Sequence, residues 1–343
     1  MTNPPTLTEA EPRLLIPTRV DPMVLARRMP HGHVVDIGGA TMGTRWSARL
    51  VLIDRSAADA VHLAMERELA TIVAEMSTWE PASLISRFNA APAGGWFTLP
   101  ERFFTVLTTA LAIAEASDGA FDPTAGALVD LWGFGPHAID HLPDDDAIAA
   151  ALARTGWQTI EIDHEARRAR QPGGVSLDFS GIAKGYAVDR LSGVAREAGI
   201  ANHLIEIGGE LRGEGVKPDG QPWWVELESH PEIESDNVRA ALCGLCVATS
   251  GDYRRHHDVG QNRLAHTIDP RTGRPAARGI GSASVMAVDC MTADAEATVL
   301  SLLAPEAALA YADRRGLAAR LLVSSDCDGN EMFSAPARAM LDA

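Results

Sequence analysis

The sequence predicts an α+β fold, a single compact domain of mixed and antiparallel sheets with flanking helices. Strand-like runs in the middle of the chain follow one another as hairpins, while helical patterns gather near the start and end. The run Gly38-Gly39…Gly43 lacks the G-x-G-x-x-G order and leads into no helix, which argues against a dinucleotide-binding doubly wound sheet. No internal repeat occurs, and no boundary is clean enough to cut the chain into independent units.

Taken in order, residues 1–33 read as a proline-bearing N-terminal extension without periodicity, and the folded body begins at residue 34. Arg45–Ile53 alternates as a strand does. Ala57–Met76 is an amphipathic helix with Val61, Leu69, Ile72 and Met76 on its apolar face. Ser83–Asn89 is a short helical turn, and Pro100–Ser117 is a second helix. Residues 118–136 mix Gly, Pro and large aromatics without a period, so they form a structured loop. Such a loop either walls a pocket for a flat ligand or packs on its own side chains.

Asp144–Thr155 reads as a helix, and Thr159–Asp163 with the run from Ala169 as a hairpin. Val175–Ser180 reads as a strand running into a helix that Gly181 opens. His203–Glu210, Leu211–Val216 and Pro222–Glu228 form a meander. Val247–Arg255 turns out of a strand, and His266–Pro275 is a strand ending in a tight turn at Pro270 and Gly273. Pro305–Arg315 is helical, and Ala319–Val323 is the last strand.

At 343 residues and 46% apolar content the chain buries a substantial core. Its net charge of −16 is spread along the chain, which argues against nucleic acid and anionic lipid as partners. Cys243-Gly-Leu-Cys246 has C-x-x-C spacing, but no second pair completes a metal site and its flanks read as a buried strand. No apolar run reaches the ~18 residues of a membrane span. Met1–Ala10 carries neither a signal peptide nor a lipobox, so the chain as written is expected in the cytoplasm. A periplasmic role for a trimmed chain stays open.

Two stretches carry chemistry. Asp289–Leu303 reads as a helix with Thr292 as N-cap, and Asp294 and Thr298 stand one turn apart on one face. A carboxylate and a hydroxyl so placed offer two oxygens to a hard cation such as Mg²⁺, leaving positions for phosphate and water. The competing reading is an acidic first turn that complements the helix dipole. In Gly181-Ile-Ala-Lys184-Gly185, backbone N–H groups at a helix entrance together with Lys184 suit an anion.

Eight runs, in this order, resemble one family. They are Met42-Gly-Thr-Arg-Trp-Ser47; Met76-Ser-Thr-Trp79 with Ser86-Arg-Phe-Asn89; and Gly119-Ala-Phe-Asp-Pro-Thr124 with Leu131-Trp-Gly-Phe-Gly135. Next come Leu177-Asp-Phe-Ser-Gly-Ile-Ala-Lys-Gly-Tyr-Ala-Val-Asp189, Glu206-Ile-Gly-Gly209 and Ala248-Thr-Ser-Gly-Asp-Tyr253. His266-Thr-Ile-Asp-Pro-Arg-Thr-Gly273 and Ala293-Asp-Ala-Glu-Ala-Thr298 complete the set. Together they resemble the FAD:protein FMN transferase (ApbE) family over residues 34 to about 325.

The resemblance implies a catalytic domain over 34–343 with an FAD cleft between two lobes. It implies an enzyme that takes FAD as substrate, uses Mg²⁺ and transfers FMN to a Thr or Ser hydroxyl of an acceptor protein, releasing AMP. Carried over by position, Asp294, Thr298 and a backbone oxygen near Ala183 would hold the metal. His266 would take the proton from the incoming hydroxyl, a task to which imidazole is matched at neutral pH. Met42, Trp79, Asp122, Lys184 and Glu206 fall on runs that line the FAD cleft, with Trp79 standing where the family often carries Tyr. Two other readings stand beside this one. A Mg²⁺-dependent FAD pyrophosphatase would use water at the same phosphorus. A non-catalytic flavin-binding protein would have no need of Asp294, Thr298 and His266.

Overall fold

A computed structural model describes residues 11–251, 256–259, 262–276, 279–324 and 331–343. The first ten residues of the expected extension, the turn expected at 252–255 and Cys327 lie outside the described residues.

Eight strands build the main sheet. They are β1 His33–Thr41, β2 Thr44–Leu52, β3 His203–Ile207, β4 Glu210–Glu214, β5 Leu245–Gly251, β6 Ile280–Ala287, β7 Ala318–Val323 and β8 Glu331–Phe333. They lie side by side in chain order, each antiparallel to its neighbours. The sheet is one long meander with helices and loops inserted between strands, which bears out the α+β reading. Helices α1 Ala57–Met76, α2 Glu101–Ala116 and α3 Ala183–Glu197 enter between β2 and β3, and α4 Cys290–Ser301 and α5 Pro305–Arg315 follow β6.

The period of two along each strand decides what each face meets. Ala48, Leu50, Ile205, Ile207, Cys246, Ala248, Ala283 and Val285 share a core with the helices. Their neighbours Val51, Leu204, Val247 and Met286 face a second core on the opposite side. There a small sheet sits, in which Val238–Leu242 pairs antiparallel with Trp223–Glu226 and parallel with Arg13–Leu15. Leu15 is buried in that core, and Arg13 reaches Glu331 at 3.0 Å. Part of the expected extension is therefore woven into the fold. Cys246 is buried on β5, and Cys243, beside the turn before it, is a second free thiol, in keeping with the structural reading of the C-x-x-C run. Among the described residues no helix is long and apolar enough to cross a membrane.

Helices α1 and α5 keep their expected bounds. In α5, Pro305 fits the first turn and Gly316, at φ 69°, closes the end in the left-handed region. Val175–Ser180 and the start of α4 depart from expectation, as does His266–Pro275, whose strands are confined to Ile268–Asp269 and Arg274–Pro275. Val175–Ser180 forms no strand, because its backbone groups are taken by Asn89 and the loop at 123–126. Asn89 donates to Leu177 O at 2.9 Å and accepts from Leu177 N at 2.7 Å. Gly126 N donates to Ser176 O, and Asp178 N to Pro123 O. A buried segment needs those partners but not from a strand. Helix α4 begins earlier than expected: its N-cap is Asp289, whose carboxylate accepts from Thr292 N at 2.8 Å.

His203 ties α3 to the sheet. A carbonyl can only accept, so the 3.1 Å contact with Ile200 O puts the proton on Nδ1, and Nε2 accepts from Ser192 Oγ at 2.9 Å. Burial lowers its pKa from 6.5 to about 4, against the pull of the Glu214 charge. The unfolded chain therefore takes up this proton first. The contribution is complete above about pH 6.5 and drains away as the pH falls toward 4. We expect His203→Gln to remove roughly 3 kcal/mol of the acid-induced loss of stability, measured by denaturant unfolding across that interval.

Candidate active site

Helices α3 and α4 approach closely at Gly185. A Cβ there would collide with the Cys290 carbonyl and lie 2.8 Å from Asp294 Cβ. Without one, the Gly185 N–H donates to Asp294 Oδ2 at 2.9 Å. Asp294 is 6% exposed and lies in the interior of α4, whose first turn carries no acidic residue. Helix-dipole compensation therefore does not explain it, and the competing reading of Asp294 falls away. We expect Gly185→Ala to cost about 1–3 kcal/mol in denaturant unfolding, by prising the two helices apart.

Beside this contact opens a cavity of about 530 Å³ whose lining includes Asp122, Lys184, Glu210, His266, Asp294 and Thr298. Lys184, one residue into α3, holds Glu210 Oε1 at 2.5 Å and stands 3.8 Å from Asp294 Oδ1. Burial works against its ammonium, but the charges of Asp294 and Glu210 outweigh it and raise the pKa. Burial raises the Asp294 pKa to about 6, with Lys184 pulling it down and Glu210 pushing it up. One turn along α4, Thr298 Oγ1 donates to Asp294 O at 3.3 Å. The second oxygen of Glu210, Oε2, is buried with no hydrogen-bond partner among the described residues.

The loop at 118–136 walls the cavity with Phe121 and Phe134, as one of its two readings required. Asp122 is fixed in it by Thr124 N at 2.8 Å, Thr124 Oγ1 at 2.6 Å and Trp157 N at 3.2 Å. Burial nonetheless raises its pKa, as it does for Asp178, which also lines the cavity. His266 lies between Asn262–Ala265 and the two-residue strand Ile268–Asp269, outside any strand, with its ring 6.4 Å from that of Phe134.

The model of the ApbE family matches residues 42–321 of this chain. The chain belongs to the ApbE family. A protein of Klebsiella pneumoniae named FAD:protein FMN transferase is 33% identical over 84% of this chain and 83% of its own length. One of Vibrio cholerae with the same name is 34% identical over 88% and 90%. The crystal structure of the Pseudomonas stutzeri flavinyl transferase ApbE, apo form, superposes with a TM-score of 0.82 at 34% identity, covering 91% of this chain and 98% of that one.

Within this ApbE-family chain the structure brings Asp122, Lys184, His266, Asp294 and Thr298 to one cavity. Ala183 opens α3 beside them and is half-buried. Met42 occupies the β1–β2 turn at φ 48°, next to Gly43 and Thr44, which do line the cavity. Trp79 follows α1, is 62% exposed and does not line it. Glu206 is not brought to the cavity either, since it projects from the opposite face of the sheet into a second cavity. Sequence reasoning missed Glu210 and Asp178. Asp178 sits inside a run that was singled out and Glu210 directly follows one, and the strand period identifies Glu210: across the Gly208-Gly209 turn it pairs with buried Ile207, whereas Glu206 pairs with Leu211.

Proposed function

We propose that this FAD:protein FMN transferase, a member of the ApbE family, splits FAD between its phosphates with the help of Mg²⁺. In that same displacement the Thr or Ser hydroxyl of an acceptor protein bonds to the FMN phosphorus, giving a phosphoester, and AMP leaves. The observation that carries the reading is Asp294: a carboxylate buried in mid-helix, one turn from Thr298, on a cavity it shares with Lys184 and His266. The activity named for the relatives supports it.

The donor set fits a hard cation. Asp294, Thr298 and the unpartnered Glu210 Oε2 are all oxygen donors. Among the described residues no group of three or more His, Cys, Asp or Glu could hold a metal unaided. Mg²⁺ keeps several positions for substrate phosphate and water and needs only one or two carboxylates from a protein. Asp294, Thr298 and the Ala183 backbone oxygen would hold it. When bound, Mg²⁺ supplies neutralisation of charge on the phosphate oxygens.

The remaining roles belong to the chain itself. Lys184, steadied by Glu210, presents an ammonium to the phosphates. His266 takes the proton from the acceptor hydroxyl as the new O–P bond forms and AMP departs from phosphorus. Phe121 and Phe134 exclude water from one wall, and Asp122 offers acceptor oxygens. Met42, beside the rim at Gly43, is assigned to FAD, whereas exposed Trp79, which does not line the cavity, is given no contact there. Glu206 is given no contact with FAD.

The test is a ratio. With FAD, Mg²⁺ and a threonine-bearing acceptor, AMP released should equal flavin bound to protein. AMP with free FMN and no bound flavin would make the chain a pyrophosphatase. FAD bound but never cleaved would make it a carrier.

A further inference from the structure

The face of the main sheet away from α3 and α4 carries a second cavity, of about 330 Å³. Arg49, Glu206 and Thr249 lie on its sheet side, and Trp224, Glu226 and Glu228 form the wall opposite. That wall is the margin of the small sheet, whose order leaves Trp223–Glu226 at one edge.

Leu227 N donates to Val238 O at 2.8 Å. By the antiparallel alternation, residues 223, 225 and 227 spend their backbone groups on the Val238–Leu242 strand. The N–H and C=O of Trp224 and Glu226 therefore point the other way, and no described residue bonds them. The open edge ends at Glu228, whose carbonyl accepts from Arg320 Nη1 at 3.0 Å. Val225 and Leu227 are buried beneath it, so the edge is held in place.

This trough adjoins the catalytic cleft. Thr249 lines both cavities, and the β3–β4 turn gives Gly208 to the cleft and Gly209 to the trough. Its charge is acidic. Arg49 is drawn to Asp36 at 3.3 Å, Glu226 meets Arg239 only at 3.7 Å with both side chains exposed, and Glu206 has no ion pair among the described residues. The chain as a whole carries −16.

We propose that the trough docks the acceptor protein. An extended segment of the acceptor, bearing Lys or Arg, adds as a strand to the Trp224–Glu226 edge and carries its hydroxyl residue past Thr249 into the cleft. The inference rests on the transferase reading above.

The probe is an extended synthetic peptide with one threonine and several lysines, together with its counterpart bearing glutamates at the lysine positions. Glu226→Pro removes an outward N–H and spares the inward ladder, because residue 226 spends no backbone hydrogen bond on the sheet. It is expected to raise the KM for the lysine peptide about tenfold, with FAD affinity and kcat unchanged. Glu226→Lys should raise the KM for the lysine peptide and lower it for the glutamate peptide, and it carries the test if the proline variant does not fold. Amide hydrogen exchange on the wild-type chain gives an independent readout, with the lysine peptide protecting Trp224 and Glu226. Unchanged KM values in the folded variants, or no protection at those two amides under saturating peptide, would overturn the docking. Protection without any FMN transfer would support the groove and count against the transferase reading.

Discussion

Asp294→Asn is expected to slow FMN transfer by about 10²–10³-fold while leaving the chain folded. Asparagine keeps the shape, and its side-chain oxygen can still accept from Gly185 N–H. Lys184 keeps its 2.5 Å partner in Glu210, so no buried cation is orphaned. Burial already favours the neutral form of the Asp294 carboxyl, which is why a neutral replacement costs the fold little. What disappears is the negative charge that the Asp294 carboxylate brings to the cavity once it is ionised. Titration calorimetry should show Mg²⁺ affinity falling with the rate. Transfer at the wild-type rate in this variant would remove Asp294 from the metal site.

His266→Ala should lower kcat for transfer by about 10²–10⁴-fold, the usual worth of a positioned base, with the Kd for FAD little changed. The imidazole lies on the cavity near Phe134, among the residues the substrates must reach. An acceptor threonine is a poor nucleophile while it keeps its proton, so loss of the base falls on the chemical step rather than on binding. Added imidazole should restore part of the rate. A variant that keeps more than about a tenth of the wild-type kcat would place the base elsewhere.

Local signals gave the helices well and the long-range pairings poorly. Ala57–Met76 and Pro305–Arg315 could be bounded from periodicity and from Pro and Gly punctuation alone. Arg13–Leu15 could not, because its strand exists only beside Val238–Leu242, far along the chain. Val175–Ser180 has the composition of a strand, but the side chain of Asn89 and the loop at 123–126 take its hydrogen bonds, and no local pattern announces that. At the site, the i, i+4 spacing of Asp294 and Thr298 was visible, whereas the burial that separates a ligand from a helix-dipole residue needed the true start of α4 at Cys290. Lys184 was legible from its glycines. Its partner Glu210 was legible only once Gly208-Gly209 was taken as a two-residue turn, which puts Glu210 and Ile207 on one face and Glu206 on the other.

The central claim is that FMN reaches a protein hydroxyl. Intact-mass and fragment spectrometry of a threonine-bearing acceptor, after incubation with the chain, FAD and Mg²⁺, tests it most directly. The account predicts a gain equal to FMN joined through phosphate, localised to the threonine and absent when Mg²⁺ is chelated. An acceptor of unchanged mass alongside free FMN and AMP would contradict it.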